Sequence, residues 1–116
     1  MTYDEIVKLA LELPGAEEST SYGTPALKVA GKMLARKHQD GVSIVLRVSF
    51  DEREMLMEAE PATFYITDHY RNYPALLARI ETVDPGTLKR LLEQTWREVA
   101  PKKLLKAAGI DPLPSN

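Results

Sequence analysis

The 116-residue chain contains no cysteine and no long apolar run. Without cysteine it can form no disulfide, iron–sulfur cluster or thiolate zinc site, and it has no cysteine nucleophile. No apolar stretch approaches the roughly 20 residues of a membrane-spanning helix. The first five residues include two acidic and no basic ones, unlike the start of a secretory signal. We therefore expect a cytoplasmic protein that has no membrane partner.

The chain also lacks a large net charge, because it contains 15 basic and 17 acidic residues and has a formal net charge of −2. This balance argues against an obligate polyanion-binding protein on global electrostatics alone. The charges are nevertheless distributed in blocks. Residues 25–49 hold five basic residues and one acidic residue, whereas segments 1–24 and 50–60 are strongly acidic. One face of the fold can thus be basic while the whole molecule is mildly acidic.

Three segments show helical patterns. Thr2 and Glu5 have the spacing of a capping box at the start of the first helix. A short middle helix follows Ser49 or Asp51. Asp84-Pro85 is typical of a helix start, and Trp96 falls on the apolar stripe of the helix that follows, so we expect it in the core.

The segments between these helices alternate apolar and polar residues, which indicates strands. Asp40-Gly41 is a strong signal for a two-residue hairpin turn. The sequence predicts an α+β fold, in which N-terminal, middle and C-terminal helices pack on one face of an antiparallel sheet of about five strands. We assign a single domain to residues 1–108 and expect 109–116 to form a flexible C-terminal tail.

Basic residues concentrate on the predicted strands. If Leu27 and Leu46 face the helices, Lys28 and Arg47 face the other way, because side chains alternate along a strand. Arg36 or Lys37 joins them, depending on the register. The candidates for contacts with nucleic-acid phosphates are Lys28, Lys32, Arg36, Lys37, Arg47, Arg71, Lys102 and Lys103. The alternative interpretation is an ordinary solvated sheet face, and a register slip of one residue would remove the patch.

Two loops, residues 19–25 and 68–74, together hold three of the five tyrosines, Tyr22, Tyr70 and Tyr73. Tyrosine, arginine and histidine can stack on bases and bind phosphates together. If the loops meet at one end of the sheet, their side chains can form a small-ligand site. The candidates for it are Tyr22, Thr24, His69, Arg71 and Tyr73. The alternative is that these residues fix turn geometry and cover the sheet edge.

The sequence contains no Ser–His–Asp spacing, no P-loop and no Gly-rich dinucleotide turn. We therefore assign no catalytic residue and expect no cofactor, although an uncharacterised enzymatic role of the loops stays open. A weaker alternative is a hard cation bound by acidic residues near the first helix. The oxygen donors available to it are Asp4, Glu5, Glu12, Glu17 and Glu18. Solvated helical glutamate is far commoner, so we assign no metal site.

Three segments of the chain resemble one family. Residues 21–29 (SYGTPALKV), followed by residues 31–36 (GKMLAR), are similar to the SYGTPAFKV…GKxFAR opening of the MmcQ/YjbR family of small bacterial proteins. Residues 69–74 (HYRNYP) and 100–104 (APKKL) resemble its HYxGYP and APKxL segments. Leu27 stands where phenylalanine is usual, and Asn72 stands where glycine is usual.

The resemblance implies a frataxin-like α+β fold with a double-wing arrangement and a DNA-binding role, without established catalytic residues. The hairpin tips at Gly31 and Asp40-Gly41 would then be the wings. We accordingly expect DNA as the partner, bound weakly through its backbone, and we favour a monomer.

Overall fold

The chain forms four α-helices and one six-stranded antiparallel sheet, described for residues 1–109 in a computed structural model. The helices are Tyr3–Leu11 (α1), Phe50–Ala59 (α2), Pro85–Val99 (α3) and Lys102–Ala107 (α4). The strands are Ala16–Ser21 (β1), Thr24–Val29 (β2), Lys32–Lys37 (β3), Ser43–Arg47 (β4), Phe64–Tyr65 (β5) and Ala75–Arg79 (β6). Within residues 1–109, no helix is long and apolar enough to cross a membrane. The predicted tail comprises residues 109–116, and all of these except Gly109 lie outside the described residues.

The helices begin where the sequence predicts. The Glu5 amide donates to the Thr2 hydroxyl over 3.2 Å, and the Thr2 amide donates to the Glu5 carboxylate over 2.9 Å. The hydrogen bonds from Thr2 hold the pKa of Glu5 below its ordinary value. At α3, the Asp84 carboxylate accepts from the Thr87 amide over 2.9 Å. Such caps satisfy amides that have no partner inside the helix.

The strands lie in the order β1-β2-β3-β4-β6-β5, and all neighbours are antiparallel. The sheet has one strand more than the sequence predicts. The additional strand is β1, whose sequence AEESTS shows no apolar alternation. It pairs with β2 alone, at the edge of the sheet. Because an edge strand with little buried surface needs no apolar pattern, period-two analysis interprets such a segment as a loop.

The main core lies between one face of the sheet and the helices. Leu27 and Leu46 point into it, as the alternation predicts, and all four helices contribute buried residues. Trp96 of α3 is 1 % exposed, and its indole nitrogen donates to the Pro14 carbonyl over 2.8 Å. The predictions of helices on one face and of a core position for Trp96 are confirmed.

The opposite face of the sheet, which we call the open face, carries a second and smaller apolar cluster. Val45 of β4 and Leu77 of β6 lie side by side there, and Tyr70 packs against them. Tyr70 belongs to a short 3₁₀-helix, Asp68–Tyr70, in the segment between β5 and β6. This segment therefore covers part of a sheet face that the helices leave open.

Candidate ligand-binding groove

A groove of about 900 Å³ crosses the open face. It is lined by Ser21, Tyr22, Met33, Arg36, His38, Gln39, Val45, His69, Tyr70, Tyr73 and Ala75. Its walls come from the β1–β2 turn on one side and from the segment before β6 on the other. The two segments that the sequence predicts as loops thus meet across the sheet, although in the first of them only Tyr22 and Gly23 lie outside strands. In the part of the chain that the structure describes, no acidic side chain lines this groove.

Arg36 lies in the groove on β3, where it stands opposite Val45 in the sheet register. The residue is only 8 % exposed. Its Nη2 donates to the Tyr70 hydroxyl, whereas its Nη1 has no hydrogen-bond acceptor within residues 1–109. Leaving a buried charged donor without a partner costs free energy, and such groups call for an explanation. An anion in the groove would supply the acceptor that Nη1 lacks.

Arg53 of α2 fixes the wall that carries Tyr70. Its guanidinium donates to the carbonyl oxygens of Tyr70, Tyr73 and Arg71 over 3.0, 2.8 and 3.2 Å. Arg53 is 5 % exposed, so the contact is buried between the helix and the loop. Sequence reasoning missed this residue. The only available signal is a single arginine within the acidic block 50–60, which also fits a solvated helix.

His38 lines the groove and is another residue that sequence reasoning missed. Its Nδ1 lies 3.2 Å from Oδ2 of Asp40, in the β3–β4 turn. Burial alone would raise the pKa of Asp40, but the hydrogen bonds from the Val42 amide, His38 and Tyr65 outweigh it and lower that pKa. Asp40 is therefore an ionised acceptor that holds the His38 ring in place.

Aromatic side chains form the rim of the groove. Tyr22 is 86 % exposed, and Tyr73 is 56 % exposed. The His69 ring lies 4.8 Å from the Tyr70 ring, edge to face, and 5.9 Å from the Tyr73 ring. Tyr22 has a φ of 52° in the two-residue turn between β1 and β2. That left-handed conformation is unfavourable for a residue with a bulky side chain.

The predicted ligand-loop residues divide into two groups. Tyr22, His69 and Tyr73 line the groove together. Thr24 does not line it, and its hydroxyl donates to the Ser21 carbonyl over 2.8 Å. Arg71 is engaged elsewhere as well, since its Nη2 lies 2.5 Å from Oδ1 of Asp68.

The eight basic candidates for nucleic-acid contact do not share one face. Lys28 and Arg36 are on the open face, because Leu27 beside Lys28 points into the core and Arg36 lies in the groove. Lys37 pairs with Ile44, a core residue, and its Nζ lies 5.4 Å from the ring centroid of Tyr3 in α1. Of the two alternatives that the sequence leaves open, Arg36 is therefore the one on the open face, and Lys37 lies on the side of the helices.

The other candidates are dispersed. The Arg47 Nε lies 3.8 Å from Oε2 of Glu98 in α3, so its guanidinium is turned to a helix rather than to a basic platform. Lys32 begins β3 beside the β2–β3 turn, and Lys102 and Lys103 are exposed in α4.

Among residues 1–109 the structure forms no cluster of three acidic or histidine side chains suited to a metal ion.

Comparisons with known proteins agree with the fold. A family model described as YjbR matches residues 11–98. Uncharacterized proteins of Mycobacterium tuberculosis and Mycobacterium bovis are each 27 % identical to the chain, over 91 % of its length and 94 % of theirs. The crystal structure of a Deinococcus radiodurans protein with a DUF419 domain superposes with a TM-score of 0.74 at 23 % identity, covering 99 % of this chain and 93 % of that one. The chain belongs to the YjbR family.

Proposed function

We propose that this protein binds a small anionic organic molecule in the groove on the open face. The observation that carries the proposal is the buried guanidinium of Arg36, a residue that lines the groove and whose Nη1 has no acceptor within residues 1–109. Charge-assisted hydrogen bonds from arginine to carboxylate or phosphate are stronger than those between neutral groups. A ligand oxygen at Nη1 would therefore recover the free energy that burial of this donor costs.

The composition of the groove supports the same class of ligand. Its polar lining consists of side chains that can donate hydrogen bonds, and its floor is apolar at Met33, Val45 and Ala75. A volume of about 900 Å³ falls within the range of small-molecule sites. An anion with an attached hydrophobic or planar part satisfies both features.

The rim favours a planar part. Exposed Tyr22 and Tyr73 present flat rings to a ligand from the two walls. Backbone strain that a structure retains is common at ligand sites, and the positive φ of Tyr22 is such a case. Asparagine or glycine would suit that turn position better, and tyrosine there adds an exposed ring to the rim.

Calorimetric titration with two probe anions, benzoate and phenyl phosphate, tests this proposal. We expect at least one of them to bind, and we expect neutral benzyl alcohol not to bind. The variant Arg36→Met should abolish binding, while Arg90→Gln, which changes a half-exposed arginine of α3, should leave it intact. Circular dichroism shows whether each variant is folded. If neither anion binds, or if folded Arg36→Met binds as well as the wild type, the proposal is refuted.

DNA binding, which the family resemblance implies, stays a prediction. Its candidate cations are dispersed, and two of them, Arg47 and Arg71, are paired with carboxylates. A phosphate-directed interaction should weaken steeply with salt, so a titration of labelled duplex at low and at moderate salt tests it. Absence of binding at low salt would remove this second function.

A further inference from the structure

Arg36 and His38 supply a guanidinium and an imidazole to one end of the groove. They are two residues apart along β3 and its extension, so their side chains leave the same face about 7 Å apart. His38 continues the pairing with β4, since its amide donates to the Ser43 carbonyl over 2.8 Å. The backbone therefore fixes both positions.

The Asp40 contact determines which His38 nitrogen faces a ligand. With Nδ1 held 3.2 Å from the Asp40 carboxylate, Nε2 is the nitrogen left for the groove. When it carries a proton, Nε2 donates a hydrogen bond to a ligand oxygen.

A phosphate monoester suits this pair of groups better than a carboxylate does. Because its second ionisation falls near pH 6, a phosphate monoester carries nearly two negative charges at neutral pH, whereas a carboxylate carries one. Three terminal oxygens also let a phosphate contact a guanidinium and an imidazole at once, whereas Arg36 alone can satisfy a carboxylate.

We infer that the ligand of the groove is a phosphate monoester with a planar ring, a class that includes aryl phosphates and nucleoside monophosphates. The phosphate lies between Arg36 and His38, and the ring lies against Tyr22 and Tyr73. Because aromatic side chains stack on any planar ring, the rim tolerates different bases. This inference rests on the proposed function, to which it adds the ligand class and a second binding residue.

Calorimetry with four probes tests the inference: phenyl phosphate, adenosine 5′-monophosphate, adenosine and benzoate. We expect at least one phosphate to bind about tenfold more tightly than benzoate and adenosine, the size of one charge-assisted hydrogen bond. Preference between the two phosphates then tells an aryl phosphate from a nucleotide. The variant His38→Gln should weaken phosphate binding about tenfold and leave benzoate binding nearly unchanged. Arg90→Gln is the matched control.

The outcomes separate the two proposals. If benzoate binds as tightly as both phosphates, the ligand class is wrong, but the anion-binding function stands. If folded His38→Gln binds phosphates like the wild type, the assignment of His38 is wrong. If no anion binds, both proposals fail.

Discussion

Arg53 gives the most direct prediction about how the groove is built. The variant Arg53→Met keeps an unbranched apolar stem but removes three hydrogen bonds to the carbonyls of Tyr70, Arg71 and Tyr73. Hydrogen bonds from a charged donor contribute about 1.5–3 kcal/mol each, and removing a buried charge also removes its desolvation cost. We therefore expect a net loss of about 2–4 kcal/mol in the free energy of unfolding.

Urea unfolding followed by circular dichroism measures this loss as a midpoint lowered by about 1–2 M. Amide hydrogen exchange should at the same time show that the 68–74 segment loses protection more than α3 does. Arg90→Met is the matched control, because the half-exposed Arg90 lies 3.6 Å from Glu52 and an exposed pair contributes less than about 1 kcal/mol. A folded Arg53→Met protein with unchanged midpoint and loop protection would refute the account of the wall.

Three further predictions concern the core, the rim and the hairpin. Trp96→Ala should lower the free energy of unfolding by about 3–5 kcal/mol through lost burial. Arg47→Ala should change the free energy of unfolding by less than about 0.5 kcal/mol. Urea unfolding measures both free energies. Tyr22→Asn should raise the melting temperature by relieving the positive φ, worth about 0.5–1 kcal/mol, and should weaken binding of the probe anions. The hydrogen bonds that Asp40 accepts lower its pKa in the folded protein. The ionised Asp40 carboxylate therefore stabilises the fold above the ordinary carboxyl pKa, and this contribution is lost as pH falls through the folded-state pKa. Asp40→Asn should therefore lose less stability than the wild type in urea unfolding below about pH 4.

Local signals in the sequence predict much of the fold. The caps at Thr2 and Asp84 and the alternation in β2 and β4 are short-range patterns with a direct physical cause, and the structure confirms them. β1 is different, because it forms through pairing with β2 at the sheet edge rather than through burial of its own side chains. No local pattern encodes that pairing.

The groove depends on tertiary contacts that no local pattern contains. Composition singles out the two loops, and three of the five candidates chosen from them do meet across the open face. Whether Arg36 or Lys37 lies in the groove depends on the strand register, which the sequence leaves open. Arg53 reaches the loop from another element, so its role follows only from how α2 packs. The orientation of Arg47 toward Glu98 likewise depends on the position of α3.

One measurement tests the central claim most directly: an NMR titration of the ¹⁵N-labelled protein with phenyl phosphate. We predict that the backbone amide shifts concentrate at groove residues such as Tyr22, His38 and Tyr73, and that Arg36→Met suppresses them. The amides of α4, on the far side of the sheet, should stay unchanged. Shifts centred on Lys102 and Lys103, or no shifts at millimolar phenyl phosphate, would contradict the account.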